Sequence, residues 1–140
     1  MPVEFTIFPE RGLVVVRFSG YATVNDTSVA TQAYITHPDY AAGQKQLVDM
    51  GSITGYEKDY VQFMNMQASK TERLVCSGLQ SLVVYIAPTA ISRELSELFI
   101  RSWIEVDAVV PLIQHSEADA LSFLGQPEET LDNLIENLTK

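Results

Sequence analysis

The sequence has little of what disulfides, metal sites and nucleic-acid binding need. It contains 1 cysteine and 2 histidines, so it forms no disulfide within the chain and offers no zinc-ligand pattern. Lysine and arginine number 9 against 18 aspartates and glutamates, and the resulting net charge of −9 repels nucleic-acid phosphates and anionic membrane surfaces. We therefore expect no metal, no cofactor and no nucleic-acid partner.

Long apolar runs are absent as well. No stretch approaches the roughly 18 apolar residues that a membrane-spanning helix needs. The first four residues, Met1 to Glu4, lack the basic segment of a signal peptide. What is present is a chain of 140 residues, 46% hydrophobic, which has the size and composition of one packed domain. The sequence predicts a single soluble, cytoplasmic domain over residues 1–140.

Strand patterns occur at five places along the chain. Apolar residues alternate with polar ones, or run continuously, over residues 3–8, 13–18, 46–50, 82–87 and 109–113. Pro9 and Gly12 separate the first two of these segments, and both residues favour a turn, so an antiparallel hairpin is expected there. Pro111 lies within the last segment, which predicts a strand at the edge of the sheet.

Helix patterns follow the strands in alternation. A hydroxyl residue with an acid three positions later precedes an amphipathic run at Thr23, Thr54 and Ser116, a pattern typical of helix N-termini. Another helix follows Pro88, and residues 127–139 carry the apolar stripe of a C-terminal helix with Pro127 in its first turn. The order β-β-α-β-α-β-α-β-α-α predicts an α/β fold with a mostly parallel five-stranded sheet.

The predicted topology leaves one face of the sheet in need of a cover. Right-handed crossovers between neighbouring strands place their helices on the same face. The C-terminal helix, a partner subunit or a bound apolar molecule would each cover the opposite face. Two helices also carry apolar arcs wider than one buried stripe, which favours a dimer interface or a groove for an apolar ligand. The residues of this candidate interface or groove are Phe63, Met64, Met66, Phe99 and Trp103.

Polar residues gather where the third and fourth strands are predicted to end. Open α/β sheets bind ligands at such ends, and the N-termini of helices attract anions. Asp49 lies in an apolar run, so its carboxylate needs donors, and the backbone amides of residues 51–54 are the closest in sequence. A structural role as cap or loop organiser is the alternative. The candidate patch for a ligand or partner is Asp49, Ser52, Thr54, Thr89 and Arg93.

The sequence offers no recognisable catalytic pattern. No Gly-x-Ser-x-Gly segment accompanies His37 or His115, so a serine nucleophile has no supporting motif. Cys76 has no partner that the sequence identifies, and a buried, inert thiol is the expected state of a lone cysteine. We therefore expect that the protein is not an enzyme.

Several of these motifs occur in an order that is known from one family. The opening hairpin, Thr23-x-x-Asp26, Leu47-Val48-Asp49, the strand over 82–87 with its long helix, and the segment 116–124 follow one another. Over about residues 3–125 this order resembles the SpoIIAA-like proteins, which are grouped with STAS domains and with lipid-transfer domains of the CRAL-TRIO kind. The resemblance implies a β/α superhelix around one sheet.

The same resemblance implies a regulatory module that binds a protein partner. Anti-sigma-factor antagonists of this group carry an Asp-Ser-Ser-Gly type of motif after the third strand, and the corresponding stretch here, Asp49 to Tyr56, has no Ser-Gly pair. A phosphorylation switch is therefore not implied. With the wide apolar arcs, the sequence predicts a non-catalytic module that binds a partner and forms a homodimer. The alternative is a carrier of a small apolar ligand, such as a lipid acyl chain.

Overall fold

The computed structural model describes residues 3–41, 43–59, 61–65, 81–103 and 109–138. Residues 61–65 are helical, and a short 3-10 turn, Pro9–Arg11, joins the first two strands. The elements are, in chain order, β1 (Val3–Phe8), β2 (Leu13–Ala22), α1 (Val24–Ile35), β3 (Lys45–Tyr56), β4 (Ser81–Ile86), α2 (Ala90–Trp103), β5 (Val109–Gln114), α3 (Glu117–Phe123) and α4 (Leu131–Leu138).

The five strands form one sheet in the order β1-β2-β3-β4-β5. β1 pairs with β2 antiparallel, and the pairs β2–β3, β3–β4 and β4–β5 are parallel. The hairpin turns at Gly12, whose φ of 57° is a left-handed conformation that glycine adopts without strain. β5, with Pro111, lies at the edge of the sheet. The predicted α/β class, opening hairpin and edge strand are confirmed.

The sheet has a hydrophobic core on each face. The first, which we call the α1–α2 face, packs against α1, the helical residues 61–65 and α2, and its core includes Phe18, Val48, Tyr85 and Phe99. The second, the α3–α4 face, packs against the two C-terminal helices, and its core includes Leu13, Leu47, Leu121 and Leu134. The second face is therefore covered by helices of the same chain, one of the three covers expected.

Two of the three predicted helix starts are confirmed by their hydrogen bonds. The Asp26 amide donates to Thr23 Oγ1 at 3.0 Å at the start of α1. The Asp119 amide donates to Ser116 Oγ at 3.1 Å at the start of α3. In each case the hydroxyl satisfies one of the amides that a first helical turn leaves without a partner.

The prediction that a helix starts at Thr54 is wrong. β3 continues past Thr54 to Tyr56, which pairs with Ala22, the last residue of β2. Glu57, the acid of that pattern, accepts a hydrogen bond from the Val24 amide at 2.9 Å and so caps α1 instead. The helical residues 61–65 begin after Asp59, whose carboxylate accepts a first-turn amide at 3.1 Å. The acid of this predicted capping pattern therefore caps a helix that belongs to a different segment.

The C-terminal helix begins at Leu131, later than the predicted start at Pro127. Thr130 caps it, with its hydroxyl accepting a first-turn amide at 3.1 Å. Glu128 precedes the helix and is held by Arg11, whose Nη1 donates to both carboxylate oxygens. The segment before α4 is therefore anchored to the β1–β2 turn and does not extend the helix.

Candidate functional site

β2 and β3 extend beyond the rest of the sheet. β3 pairs with β4 from Gln46 to Asp49, whereas its pairing with β2 continues to Tyr56. The β2–β3 register shifts after Arg17 and again after Gly20, and such bulges increase the local twist. A two-stranded extension therefore projects past the end of β4.

One face of this extension is open to solvent. Phe18, Ala22 and Ile53 are buried in the core of the α1–α2 face, so the residues next to them lie on the opposite side of their strands. Arg17, Ser19, Tyr21, Ser52 and Thr54 flank these residues and are exposed, and Asp49, between the buried Val48 and Met50, is half-buried. We call this surface the β2–β3 outer face, and it consists of Arg17, Ser19, Tyr21, Asp49, Ser52 and Thr54.

Asp49 is held by two partners on this face. The Gly51 amide donates to Asp49 Oδ1 at 2.9 Å, and Arg17 Nε lies 3.5 Å from Asp49 Oδ2. The amide is one of the donors that the sequence indicated. The ion pair was missed, because the parallel register that aligns Arg17 with Asp49 is not visible in the sequence. Asp49 thus orders the loop that follows it and keeps 18% of its side chain exposed.

Tyr21 is the largest exposed side chain of the outer face, with 57% of its surface accessible. Its ring lies over Gly55, where a Cβ atom would approach Tyr21 Cδ2 to 3.3 Å. Because Gly55 has no side chain, the Tyr21 ring packs directly against the backbone at this position. Sequence reasoning missed Tyr21 because it ended the strand at Phe18, and the strand continues through Gly20.

The first turn of α2 lies beside this loop. A Cβ atom on Gly51 would be 3.4 Å from Pro88 Cγ, so the turn between β4 and α2 packs closely against β3. The Ser92 amide donates to Thr89 Oγ1 at 3.2 Å, and the Thr89 amide donates to Ser92 Oγ at 2.9 Å. The Thr89 hydroxyl is thus engaged as a helix cap. Arg93 is exposed, and within the described segments its guanidinium forms no ion pair.

The predicted apolar interface divides between core and surface. Phe63 and Phe99 are 4% and 3% exposed, and their ring centroids lie 4.8 Å apart in the core of the α1–α2 face. Met64 is 41% exposed and lines an open groove of about 380 Å³ with Leu98 and Arg101. The two other predicted interface positions, Met66 and the side chain of Trp103, lie outside the described residues, as does the lone cysteine, Cys76.

A small cavity lies between α1 and the sheet. Its volume is about 40 Å³, and its lining is mostly apolar and aromatic. The polar residues in its wall are Thr27, Thr31, Tyr34 and Gln46. Ligand pockets for drug-sized molecules have volumes of roughly 300 to 1,000 Å³. The cavity is therefore too small for a lipid acyl chain, and it admits a group of only a few atoms.

In the described ranges, no three histidine, cysteine, aspartate or glutamate side chains lie close enough together to hold a metal ion. Over the same ranges, no helix has both the length and the apolar character that crossing a membrane requires.

Comparisons with known proteins found likenesses among solved structures. No family model matches the chain, and no curated protein matches it. Among solved structures, the anti-sigma factor antagonist SpoIIAA in its unphosphorylated form has a TM-score of 0.48 at 9% sequence identity. The match covers 98% of this chain and 97% of that one. That antagonist belongs to the group that the motif order resembles.

Proposed function

We propose that this chain is a non-catalytic regulatory module that binds a protein partner through the β2–β3 outer face. The observation that supports the proposal is Tyr21, which is 57% exposed, packs over Gly55 and lies on the same face as the Arg17–Asp49 ion pair. Tyrosine and arginine are enriched among the residues that dominate binding energy at protein interfaces. A large ring with few rotatable bonds also loses little conformational entropy on binding.

The charge of the chain indicates the chemistry of the partner. A net charge of −9 attracts basic surfaces and repels acidic ones over several ångströms of solvent. We infer that the partner presents basic residues to the outer face, where Asp49 keeps part of its carboxylate accessible. The association rate should fall as the salt concentration rises, because salt screens this attraction.

Photo-crosslinking at the outer face tests the proposal directly. Tyr21 is replaced by p-benzoylphenylalanine, and the matched control places the same residue at Phe123, an aromatic side chain of α3 that is 54% exposed. We expect one defined protein adduct from position 21 and not from position 123. Identical adducts from both positions, or none from position 21, would contradict the proposal.

Binding of the captured partner is then measured with a second variant. Tyr21→Ala should weaken the complex by about tenfold or more, as expected when the aromatic anchor of an interface is truncated. Phe123→Ala should leave the affinity within about twofold, because exposed residues outside an interface contribute little. Equal losses for the two variants would place the binding surface elsewhere.

We also propose that the chain forms a homodimer through the groove at Met64. Met64 and Leu98 form the apolar part of this groove, and Glu97 and Arg101 lie along the same stretch of α2. A groove with apolar centre and charges of both signs is self-complementary across a two-fold axis. Two copies with a net charge of −9 repel each other, so the dimer should tighten as salt rises.

Light scattering after size exclusion tests this second surface. The wild-type chain should be a dimer at micromolar concentration, and Arg101→Glu should make it a monomer by removing the cation of the groove. Arg93→Glu, an exposed arginine of the same helix that does not line the groove, is the control and should remain a dimer. A wild-type chain that is monomeric at every salt concentration would refute the dimer.

A carrier of an apolar ligand is the alternative function that the sequence left open. The cavity beneath α1 is apolar, but its volume of about 40 Å³ does not support an acyl chain. Native mass spectrometry of the freshly purified protein separates the two functions. A protein-binding module should give the mass of the bare chain, whereas a reproducible co-purified lipid would favour the carrier.

A further inference from the structure

The cavity beneath α1 contains a buried polar side chain that has no hydrogen-bond partner among the residues the structure describes. Gln46 is 4% exposed, lies on β3 and forms part of the cavity wall. Within the described part of the chain, nothing accepts from or donates to its side-chain amide. Nearly all buried amides in native proteins have a hydrogen-bond partner, and those that do not need an explanation.

A second glutamine close by shows how such a side chain is normally satisfied. Gln44 is 5% exposed, and its Oε1 accepts a hydrogen bond from the Tyr34 hydroxyl at 2.7 Å. Its Nε2 donates to the Asp39 carbonyl at 3.0 Å. Both ends of the Gln44 side-chain amide are therefore hydrogen-bonded within the fold, whereas no such bond is found for the Gln46 amide among the described residues.

A hydroxyl on the opposite wall of the cavity is also unused. The Thr27 hydroxyl on α1 donates to the Thr23 carbonyl at 2.9 Å, and the hydroxyl of Thr36, the C-cap residue of α1, donates to the Gln32 carbonyl at 2.8 Å. Thr31 is half-buried in the cavity wall, and no such bond is found for its hydroxyl among the described residues. The cavity thus has an unpartnered amide on β3 and an unpartnered hydroxyl on α1.

The rest of the wall is neutral and well packed. Phe5 and Tyr34 meet edge to face with their ring centroids 5.8 Å apart, and Tyr34 meets Tyr40 at 5.0 Å. Burial raises the pKa of the Tyr34 phenol, so this group stays uncharged at neutral pH. No aspartate, glutamate, lysine or arginine is among the lining residues described. An ion would lose its hydration there without gaining a counter-charge, so the site excludes ions.

We propose that this cavity binds a small neutral ligand, or the neutral end of a larger one, that carries a carboxamide or a hydroxyl group. The Gln46 side chain offers two N–H donors and a carbonyl acceptor, which match a group that both donates and accepts. Thr31 offers a further hydroxyl from the other wall. The volume of about 40 Å³ limits the bound group to a few heavy atoms. This proposal is independent of the partner-binding surface, which lies on the other face of the sheet.

Titration of the full chain with acetamide, followed by amide NMR, tests the proposal. Acetamide should cause saturable shifts that are confined to α1 and to the part of β3 around Gln46. The dissociation constant should be roughly millimolar, as expected for a ligand of about four heavy atoms. Acetate has nearly the same shape but carries a charge, and it should cause no saturable shift.

Variants of the two polar groups provide the controls. Gln46→Leu and Gln46→Met replace the amide with apolar side chains of similar size, and each should weaken acetamide binding by about tenfold or more. Thr31→Val should weaken it by a smaller factor. Thr36→Val, at the C-cap of the same helix and outside the cavity lining, should leave the affinity within about twofold.

Two results would overturn the proposal. One is the absence of saturable shifts up to about 100 mM acetamide, a concentration well above the expected dissociation constant. The other is an unchanged affinity in both Gln46→Leu and Gln46→Met. In either case the cavity holds water alone, and Gln46 is a core residue that is solvated by that water.

Discussion

The two faces of the sheet are both covered by helices of this chain, but they are packed with different side chains. The core of the α3–α4 face is aliphatic apart from Phe8, and most of its residues are fully enclosed. Among the described residues, the core of the α1–α2 face contains five aromatic side chains, Phe18, Tyr56, Phe63, Tyr85 and Phe99. The cavity, whose Gln46 side chain has no partner among the described residues, also lies on the α1–α2 face.

The difference in side-chain shape explains the difference in packing. Branched aliphatic chains interdigitate and leave few voids, whereas rings prefer particular mutual orientations. Phe99 stacks on Tyr85 with an interplanar angle of 20° and meets Phe63 at 67°. These rings therefore fill the core of the α1–α2 face less completely than the aliphatic side chains fill the core of the α3–α4 face. We conclude that the α3–α4 face stabilises the fold, while the α1–α2 face combines stabilisation with a small site.

Truncation in the aliphatic core should have the largest effect on stability. Leu131 is 0% exposed in α4, and Leu131→Ala should lower the free energy of unfolding by about 2 to 5 kcal/mol. The exposed neighbour Asp132→Ala is the control and should change it by less than about 0.5 kcal/mol. Urea denaturation measures both. A loss below about 1 kcal/mol for Leu131→Ala would mean that α4 is not a firm cover of this face.

Removal of a hydrogen bond on the aromatic face should cost less. Tyr34→Phe deprives Gln44 Oε1 of its donor, and a buried acceptor without a partner costs about 1 to 3 kcal/mol. Tyr21→Phe removes the hydroxyl of an exposed tyrosine, and we expect a change of less than about 0.5 kcal/mol. If both variants unfold at the same urea concentration as the wild type, Gln44 is not held by Tyr34.

Acid should weaken the anchor between the hairpin and the segment before α4. The hydrogen bond from Arg11 holds the pKa of Glu128 below its ordinary value, and burial opposes this only in part. The stabilisation that the Arg11–Glu128 pair gives is therefore complete above the pKa of Glu128 in the unfolded chain. It is lost as the pH falls through the lower pKa that Glu128 has in the folded protein. Glu128→Gln should be less stable than the wild type at pH 7, and this difference should shrink in acid.

Equilibrium unfolding at a series of pH values gives this comparison. Glu129→Gln changes an exposed neighbour and serves as the control, with a profile parallel to that of the wild type. A stability difference between Glu128→Gln and the wild type that is constant from neutral to strongly acidic pH would show that the ion pair is not the cause.

The smallest effect on stability is expected on the outer face. Tyr21→Ala removes a side chain that is 57% exposed, so the free energy of unfolding should change by only about 0.5 kcal/mol. Thermal unfolding of the variant beside the wild type measures this. A loss of several kcal/mol would show that Tyr21 is a structural residue and would remove the support for an interface there.

The sequence predicted most elements of the fold because their signals are local. Thr23 and Ser116 cap the helices that follow them, and Pro111 lies in an edge strand. The pattern at Thr54 failed because the acid at Glu57 serves a helix elsewhere in the chain. A cap supplied by a distant segment depends on tertiary packing, and a local capping pattern carries no information about that packing.

The site was predictable only in part for the same reason. The need of Asp49 for hydrogen-bond donors was predictable, because a carboxylate in an apolar strand must be satisfied. Gln46 lies at the start of the same predicted strand, and nothing in the sequence distinguishes it from the satisfied Gln44. That distinction depends on where α1 places its hydroxyls and rings. The partner of Asp49 on β2, Arg17, likewise required the strand register.

The central claim is that the α1–α2 face keeps Gln46 for binding and not for stability. The free energies of unfolding of Gln46→Leu and Gln44→Leu, measured side by side without ligand, test it most directly. We predict that Gln46→Leu equals or exceeds the wild type, because an apolar side chain replaces an amide without partners. Gln44→Leu should be less stable by about 1 to 3 kcal/mol, since it strips Tyr34 of its acceptor. Equal losses for the two variants would contradict the claim.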